Sequence, residues 1–537
     1  MREPMLHRAS NYDDLWKQID QRTLDIPTKF NLGVACVDDH DPDSRAITIV
    51  AKDRTSRDYT FGDVRDRANR LANGLLGLGI GAGDVVAVVN PQSLETGVAY
   101  MSLFRMGAIA LPLSSLFGPD ALRYRLGNAN AKAVITSAAN APKVREALAD
   151  GPVPMLIIDG DPGQGERSFD EVIAAASDVF QPVETAAEDP AFLIYTSGTT
   201  GDPKGVLHAH RIVFGQMPAF EAIYDFFPQP DDVFWSPADW AWIAGIMDIL
   251  IPAWFYGLPV VVDMDGAFNA ERAVWLMREH HISLTLIPPT ALRVIRAADL
   301  PGGDFAFRAM ASGGEVLGAD LTGWASEFFG CPVNEAYGQT EFNGLSGGSQ
   351  SVYPAKPGSI GRPLPGTIVA VLDDEGNPVI DTSGEIAVHR DHALAMLGYL
   401  NNPAATAEKF RGDWLLTGDL GHIDQDGYVW FESRKDDVIN SAGYRIGPGE
   451  IENCLGAHEA VAMAAVIGVP DERRGQVPKA FVVLKPGREP SEALADALRA
   501  HVRTRLAAHE MPREIEFIDD LPRTTTGKIM RRELRTS

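Results

Sequence analysis

The stretch Tyr195-Thr196-Ser197-Gly198-Thr199-Thr200-Gly201-Asp202-Pro203-Lys204-Gly205 carries the strongest functional signal in this chain. An apolar run at 191–194 precedes it and predicts a buried strand, and a second apolar run starts at its end. Glycines let backbone N–H groups turn toward one point, and the hydroxyls and the lysine supply further donors, so such a loop suits a phosphate chain. A flexible Ser/Gly linker is the alternative, but linkers do not usually connect two buried runs.

The loop differs from a Walker phosphate loop. The Walker pattern places a lysine directly after a glycine and before a serine or threonine. Here Lys204 is separated from Gly201 by two residues and is followed by another glycine. We therefore expect a nucleotide that is bound by a different fold.

The length and composition limit the number of domains and the kinds of partner that the chain can have. Its 537 residues suggest roughly three to four domains or subdomains, and 45% apolar residues suffice for globular packing. The net charge of −25 argues against a nucleic-acid partner, since binding to a phosphate backbone needs a basic surface. The cysteines Cys36, Cys331 and Cys454 match no metal or redox spacing, and a reduced cytoplasm is the simplest setting for them.

No segment predicts export or a membrane span. Residues 1–4 lack the apolar core of a signal peptide. The most hydrophobic window, Ile246 to Val262, is interrupted by Asp248, Pro252 and Pro259, so it predicts a buried helix followed by a strand. We expect a soluble, cytoplasmic protein.

The order of apolar and helical patterns predicts the architecture. Apolar runs alternate with helical patterns from Val85 to about Ile287, which predicts two parallel sheets covered by helices. After about Ser351, glycine, proline and short alternating runs predict a small β-rich subdomain, and after Arg434 helices and strands mix. The predicted fold class is α/β, with a large N-terminal domain of two helix-covered sheets plus a β-rich subdomain, and a small α+β C-terminal domain.

Six segments, in this order, resemble the motifs of the adenylate-forming superfamily, which includes acyl-CoA synthetases, aryl-CoA ligases, firefly luciferase and peptide-synthetase adenylation domains. The first is the glycine-rich loop, and together the six span nearly the whole chain. One residue departs from the usual pattern, since Ser433 stands where the family usually has glycine. The other five segments are A-S-G-G-E at 311–315, N-E-A-Y-G-Q-T-E at 334–341, T-G-D at 417–419, S-R-K-D-D at 433–437 and P-R-T-T-T-G-K at 522–528.

The resemblance also implies a domain organisation. The family has a large N-terminal and a small C-terminal domain, joined at the position of Asp436. The change in the pattern of predicted helices and strands after Arg434 lies at the same place. This predicts an adenylation domain at 1–435, which binds substrate and ATP, and a mobile domain at 436–537. The resemblance implies that the small domain rotates about Asp436 between two half-reactions, as short hinge segments can allow.

The resemblance implies an AMP-forming ligase with ATP and CoA as co-substrates and Mg²⁺ as cofactor. Glu341 matches the position that holds magnesium, and Thr340 matches a hydroxyl that contacts phosphate. Asp419 and Arg434 match the contacts to the ribose, and Tyr337 matches a ring that packs on adenine. The further positions implied in ATP or AMP binding are Thr196, Ser197, Gly198, Thr199, Thr200, Lys204, Gly313, Gly314, Glu315, Glu335 and Arg445.

Lys528 is the catalytic lysine by the same resemblance. It is expected to contact the attacking carboxylate and the α-phosphate, where a mobile ammonium stabilises developing charge. Pro522 and Gly527 precede it in a pattern resembling acyl-CoA synthetases that are silenced by reversible lysine acetylation. This predicts a protein acetyltransferase and a deacetylase as possible partners. A slow, nonspecific modification of an exposed lysine is the alternative.

The identity of the acid is the most open question. By resemblance, Gly443 and Tyr444 border the CoA channel. Acetyl-CoA synthetases place tryptophan where this chain has Gly338, so glycine predicts an open pocket and an acid of short to medium chain length. His208 is expected in the wall of this pocket rather than in a metal site, and two tryptophans are expected as pocket lining or core. These tryptophans are Trp240 and Trp242.

Other ligases remain as alternatives, namely an aryl-CoA ligase and a carrier-loading acyl-AMP ligase. An amino-acid activator should place a carboxylate in the pocket to pair with the substrate ammonium. The segment 242–246 contains no acidic residue, and the C-terminal module is not followed by a carrier segment. The Y-R-I-G-P sequence at 444–448 resembles short- and medium-chain acyl-CoA synthetases most closely.

Overall fold

The computed structural model describes residues 2–196, 203–315, 317–441, 444–471, 474–506, 510–524 and 529–535. The chain divides into two compact units, which are described separately below. The first unit comprises residues 1–368 and 389–413, and the second comprises 369–388 and 414–537. The domain boundary after Lys435 stays a prediction.

An eight-stranded sheet carries the glycine-rich loop in the first unit. Its central strands are parallel, and the strands on either side of the loop form an antiparallel pair at one end. Its core is formed by inward-facing residues such as Ala87, Leu111, Val134 and Leu193, none of which is exposed. The strands, in their order across the sheet, are Gly398–Tyr399, Lys204–Ala209, Pro190–Thr196, Ile109–Pro112, Val85–Val89, Ala133–Thr136, Met155–Ile157 and Arg167–Ser168.

A nine-stranded sheet forms most of the remaining β-structure of the first unit. Six of its strands run parallel, and antiparallel hairpins close both edges. The strands, in their order across the sheet, are Arg362–Pro363, Asn343–Gly347, Val333–Gln339, Ala309–Gly313, Leu284–Leu286, Phe234–Trp235, Val260–Asp263, Arg45–Val50 and Ser56–Thr60. A further short strand, Phe410–Arg411, also lies in this unit.

Helices connect the parallel strands, and several begin at residues that cap a helix N-terminus. Thr60 and Asp63 form a capping box at the start of Phe61–Gly77, and Ser93 caps Leu94–Arg105. Pro119 is the first residue of the helix Pro119–Asn128, where its fixed φ suits a helix start. The helices of this unit are Tyr12–Trp16, Leu32–Val37, Phe61–Gly77, Leu94–Arg105, Pro119–Asn128, Ala141–Ala147, Phe169–Ala175, Ile212–Ile223, Ile243–Gly245, a π-helical turn at Ile246–Leu250, Ile251–Phe255, Ala270–Glu279, Pro289–Ala297, Ala319–Phe329 and Pro403–Glu408.

The second unit contains two sheets. One holds the strands Pro378–Val379, Val369–Leu372, Gly384–His389, Trp414–Ile423 and Val429–Arg434, and the turn at 373–377 connects the first two. The other holds Tyr444–Ile446, Ile439–Ser441, Gly475–Leu484, Val461–Asp471 and Glu514–Phe517. Its helical segments are the 3₁₀ turn Lys435–Asp437 and the helices Pro448–Gly456, Glu492–Arg505 and Arg531–Leu534.

The fold-class prediction is confirmed: the chain is α/β, with two helix-flanked sheets in one unit. The hydrophobic window that begins at Ile246 forms a buried helical segment and then the strand Val260–Asp263, as expected. Among the helices that the structure describes, none is long and apolar enough to cross a membrane.

Candidate active site

The glycine-rich loop connects two antiparallel strands at the edge of the eight-stranded sheet. Thr196 pairs with Lys204 in the register of these strands, so the two ends of the loop lie side by side. The ammonium of Lys204 lies 5.2 Å from the centre of the Tyr399 ring, a cation–π contact. Four predicted loop residues lie outside the described residues: Ser197, Gly198, Thr199 and Thr200.

Tyr399 joins this loop to the motif at 334–341. Its hydroxyl donates a hydrogen bond to Oε1 of Glu341 at 2.5 Å. Lys409 Nζ lies 3.8 Å from the same carboxylate oxygen and donates to Oε1 of Gln339 at 3.2 Å. Glu341 is only 8% exposed, so this carboxylate is held in one orientation by a phenol and an ammonium.

Two predicted adenine-binding segments meet at the carboxyl ends of parallel strands in the nine-stranded sheet. Gly313 pairs with Ala336, which places Glu315 near the strand that leads to Tyr337. The carboxyl edge of a parallel sheet is where open α/β folds bind ligands. Thr290 Oγ1 donates to the Glu315 carboxylate at 2.8 Å.

Two residues of these segments stand out, Gly314 for its backbone conformation and Glu335 for the pKa of its carboxyl. Gly314 has a φ of +86°, a left-handed conformation that favours glycine. Glu335 is largely buried, and this desolvation raises the pKa of its carboxyl to about 7, against a smaller opposing effect of the Leu317 backbone N–H. A carboxyl with this pKa changes its charge readily near neutral pH.

His208 connects the strand after the loop to Thr340. Its Nε2 lies 2.8 Å from the Thr340 carbonyl, which can only accept, so Nε2 carries the proton. Burial lowers the pKa of His208 to about 4, and the ring is neutral at physiological pH. His210 lies two residues further on, where its Nδ1 accepts a hydrogen bond from the Leu32 N–H at 3.1 Å. Each histidine therefore has a hydrogen-bonding role within the first unit.

The predicted acyl-pocket residues have different environments. Trp240 is 1% exposed and its carbonyl accepts a hydrogen bond from the Tyr100 hydroxyl, which favours the core rather than the pocket interpretation. Trp242 is half-buried, and its ring lies 5.7 Å from that of Phe117. The assignment of Trp242 and His208 to the pocket stays a prediction.

Gly338 lies beside a bulge, where the neighbouring strand approaches its backbone closely. The register between Val333–Gln339 and Asn343–Gly347 shifts between Tyr337 and Gly338. A Cβ added at Gly338 would lie 1.7 Å from the Asn343 carbonyl oxygen, so a side chain would collide with backbone. The close approach of the hairpin backbone is therefore a second reason for glycine here, and the assignment of Gly338 to the acyl pocket stays a prediction.

The second unit brings the two predicted ribose contacts together. Asp419 and Arg434 are directly paired on antiparallel strands, and Arg434 Nη1 donates to Asp419 Oδ1 at 2.8 Å. Asp419 is 3% exposed. The backbone N–H of Gly418 donates to Oε1 of Glu385 at 3.1 Å, while Lys435 Nζ donates to its Oε2 at 2.7 Å. Glu385 thus supports the T-G-D segment of the strand Trp414–Ile423.

The remaining predicted residues lie in or near short segments of the second unit. Asp436 lies in the 3₁₀ turn Lys435–Asp437. Tyr444 and Arg445 belong to the strand Tyr444–Ile446, which pairs with Ile439–Ser441. Gly443 and Lys528 lie outside the described residues.

The part of the chain that the structure describes holds no group of three or more histidine, cysteine, aspartate or glutamate side chains suited to a metal ion. Mg²⁺ is usually bound through one or two carboxylates together with substrate phosphates and water, so it does not need such a group. The single buried carboxylate of Glu341, beside the ends of the glycine-rich loop, fits this type of site.

Sequence reasoning missed three residues that support the predicted ones. Tyr399 and Lys409 contact Glu341, and Glu385 supports Gly418. Tyr399 lies 58 positions from Glu341 along the chain, so no local pattern relates them. The N-N-P sequence at 401–403 predicts only the start of the helix Pro403–Glu408, which Asn402 caps, and it gives no sign of the Tyr399 contact.

Comparisons with known proteins identify the family of the chain. Residues 37–400 match the AMP-binding enzyme family, and residues 450–528 match the AMP-binding enzyme C-terminal domain. The acetyl-coenzyme A synthetase of Bacillus subtilis (strain 168) is 33% identical over 98% of this chain and 95% of its own length. The mitochondrial acyl-coenzyme A synthetase ACSM5 of Mus musculus is 34% identical over 97% of this chain and 93% of its own length.

The chain is also similar to a CoA ligase of known structure. The anthranilate CoA ligase AuaEII in complex with anthranoyl-AMP is 29% identical, with a TM-score of 0.86 over 95% of this chain and 98% of that one. The resemblance to the adenylate-forming superfamily is therefore confirmed. The match over residues 37–400 and the identity to whole-length synthetases show that this chain belongs to the AMP-binding enzyme family.

Proposed function

We propose that the protein activates a short- to medium-chain carboxylic acid with ATP and transfers the acyl group to CoA. The products are acyl-CoA, AMP and pyrophosphate. The observation that carries the proposal is the cluster around Glu341, in which Tyr399 joins the ends of the glycine-rich loop to the Y-G-Q-T-E motif. Its family membership and its similarity to acetyl- and acyl-coenzyme A synthetases support the same reaction.

In the first half-reaction, an oxygen of the carboxylate attacks the α-phosphorus of ATP. A new P–O bond forms, the bond to the bridging oxygen breaks, and pyrophosphate leaves with the electron pair. Both reactants are anions, so catalysis rests on positioned positive charges and hydrogen-bond donors rather than on a protein nucleophile. Lys204 and Lys528 are proposed to supply that charge, and Thr340 is proposed to donate a hydrogen bond to a phosphate oxygen.

Mg²⁺ is proposed to be held by Glu341, where it would neutralise charge on the phosphate oxygens. Tyr399 and Lys409 keep the Glu341 carboxylate fixed before the nucleotide arrives. Such preorganisation lowers the cost of ordering the site during the reaction. Asp419 is proposed to accept hydrogen bonds from the ribose diol, and Arg434, which already contacts Asp419, is proposed to orient it.

In the second half-reaction, the CoA thiol loses its proton to solvent and its sulfur attacks the acyl carbonyl carbon. A C–S bond forms, the C–O bond to the phosphate breaks, and AMP leaves. Gly443 and Tyr444 are proposed to border the CoA channel, Arg445 to contact the nucleotide in this step, and Asp436 to be the hinge between the steps. Residues 436–537 are proposed as the domain that turns about this hinge.

Two features support an acid longer than acetate, although the relatives include an acetyl-coenzyme A synthetase. Gly338 carries no side chain that could close a pocket, and the mitochondrial relative is named an acyl-coenzyme A synthetase. The second candidate function is an aryl-CoA ligase, which the similarity to the anthranilate CoA ligase favours.

A panel of acids tests the proposal. CoA-dependent release of AMP would be measured with linear acids from acetate to decanoate, with branched acids and with benzoate and anthranilate. Glu341→Gln serves as the inactive control. Each buried methylene should raise kcat/KM roughly fourfold until the pocket is full, given about 0.8 kcal/mol per methylene. A preference for benzoate or anthranilate would instead identify an aryl-CoA ligase. Acyl-AMP that forms but yields neither acyl-CoA nor free AMP when CoA is added would indicate carrier loading.

We also propose a role in fatty acid metabolism in the cytoplasm, with Lys528 as the target of a protein acetyltransferase and a deacetylase. Acetylation removes the positive charge of the lysine, so the adenylation step alone should fail. Incubation with an acetyltransferase from the same host, followed by mass spectrometry, tests this. Modification spread evenly over many lysines, or full activity with Lys528 acetylated, would contradict it.

A further inference from the structure

A buried cluster of charged side chains lies in the second unit, outside the residues assigned above. Arg531 Nη1 donates to Asp437 Oδ2 at 3.1 Å, and its Nη2 donates to Glu452 Oε2 at 2.7 Å. Arg535 Nη2 donates to the other oxygen of Asp437 at 3.0 Å. The Arg531 side chain is 20% exposed, and the two carboxylates are 11% and 14% exposed. A planar guanidinium held by two carboxylates has little freedom to move.

The cluster connects three separate parts of the chain. Asp437 ends the 3₁₀ turn that contains the proposed hinge residue. Glu452 lies on the helix Pro448–Gly456, and its Oε1 also accepts from the Val466 N–H at 2.7 Å, which fixes it to the edge strand Val461–Asp471. Arg531 is the first residue of the C-terminal helix, Arg531–Leu534. One side chain therefore joins the hinge turn, a helix and the C-terminal helix.

The residues that flank the segment 525–528 are themselves paired. Arg523 and Ile529 form an antiparallel bridge, and the Met530 N–H donates to the Pro522 carbonyl at 2.8 Å. Arg531 follows this pairing directly, so its ion pairs fix the base of the segment that contains Lys528. An error of about 1 Å in the placement of a reacting group can lower a rate about 100-fold.

We propose that Arg531 is a positioning residue for adenylate formation, which sets the base of the Lys528 segment relative to the hinge turn through Asp437 and Glu452. This rests on the proposed function, because Lys528 is assigned there to the adenylation step. A purely structural role would instead lower stability and affect both half-reactions together.

Half-reactions measured separately distinguish these roles. Acid-dependent ATP–pyrophosphate exchange reports adenylation, and thioester formation from supplied acyl-adenylate and CoA reports transfer. We expect Arg531→Gln to lower the exchange rate about 10- to 100-fold, with the transfer rate changed less than about threefold. Arg531→Lys should recover part of the exchange rate, since it keeps the charge but loses the bidentate contact. Arg532→Gln, an exposed neighbour, is the matched control and should behave as the wild type.

A second variant covers the case in which Arg531→Gln does not fold. Glu452→Gln keeps the Arg531–Asp437 pair and should show a smaller loss that is again confined to exchange. Equal losses in both half-reactions, or no loss in either, would overturn the positioning role. Absence of acid-dependent exchange in the wild type would overturn the proposed function and this inference with it, so the two failures are distinguishable.

Discussion

Arg434 donates a hydrogen bond to Asp419 across two antiparallel strands, at 2.8 Å, and holds the carboxylate that we assign to the ribose. The pairing leaves Asp419 almost completely buried, while 38% of the Arg434 side chain is exposed. The two residues are 15 positions apart in the sequence. They form an ion pair because the strand register places them opposite each other.

Asp419→Ala should weaken ATP binding more than Arg434→Ala. Loss of a hydrogen bond to a charged group costs about 1.5–3 kcal/mol, so KM for ATP should rise about 10- to 100-fold in the first variant. Steady-state kinetics with varied ATP measure this. Asp426→Ala, an exposed aspartate on the turn after the same strand, is the control. An unchanged KM for ATP in Asp419→Ala would contradict the ribose assignment.

Tyr399→Phe should lower kcat by roughly three- to tenfold, because the net value of one hydrogen bond is about 1 kcal/mol. The lost bond releases the Glu341 carboxylate, so the dependence of the rate on Mg²⁺ should change as well. Titration of the rate with Mg²⁺ at saturating ATP is the measurement. Tyr12→Phe removes a comparable hydroxyl that donates to the Pro363 carbonyl, and it should leave both values unchanged.

Lys528→Ala should abolish adenylate formation and largely spare thioester formation from a supplied acyl-adenylate. The expected loss in exchange is at least about 100-fold, since the ammonium offsets charge that develops at the α-phosphate. If a folded Lys528→Ala protein lost both half-reactions equally, the assignment of this lysine to one step would be wrong.

Gly338→Ala should lower the stability of the protein. The new Cβ would meet the Asn343 carbonyl at the bulge, and overpacking of this kind costs about 1–3 kcal/mol. Thermal unfolding and the ratio of kcat/KM values across the acid panel test this. A changed chain-length preference with unchanged stability would show that the position faces the acyl group and not the hairpin backbone.

His210→Asn should make the protein less sensitive to mild acid. Burial lowers the pKa of His210 to about 4, from an ordinary value of 6.5. Between these values the unfolded chain binds a proton that the folded chain does not, so stability falls as pH falls from 6.5 to 4, by at most about 3 kcal/mol. Asparagine keeps an acceptor for the Leu32 N–H without titrating.

The midpoint of thermal unfolding at pH 7 and pH 4.5 measures this effect. The midpoint should fall less for the variant than for the wild type between these two values. His7→Asn, at an exposed histidine, is the control and should follow the wild type. An equal fall in all three proteins would contradict the assignment.

Local patterns predicted the elements whose boundaries are set by local chemistry. The helix Pro119–Asn128 begins at a proline, and Ser491 caps Glu492–Arg505, so both starts were visible in the sequence. The motif residues Asp419, Arg434 and Glu341 could be named because their neighbours in sequence identify them.

Contacts between distant segments could not be predicted in the same way. Nothing near Tyr399 indicates that its hydroxyl reaches Glu341, and nothing near Arg531 indicates a pair with Asp437, 94 positions earlier. The bulge at Gly338 arises from pairing with Asn343, and only the register of the hairpin reveals it. These features depend on tertiary packing, on which a single sequence carries little information.

The return of residues 389–413 to the first unit has a consequence for how the protein is made. The strand Gly398–Tyr399 pairs with Lys204–Ala209 at the edge of the eight-stranded sheet. A nascent chain that has emerged only as far as residue 368 presents that edge unpaired, and open edges template wrong associations. The segment that holds Glu341 in place is thus the last part of the first unit to be synthesised. Premature termination before it would leave an inactive fragment that is prone to aggregate.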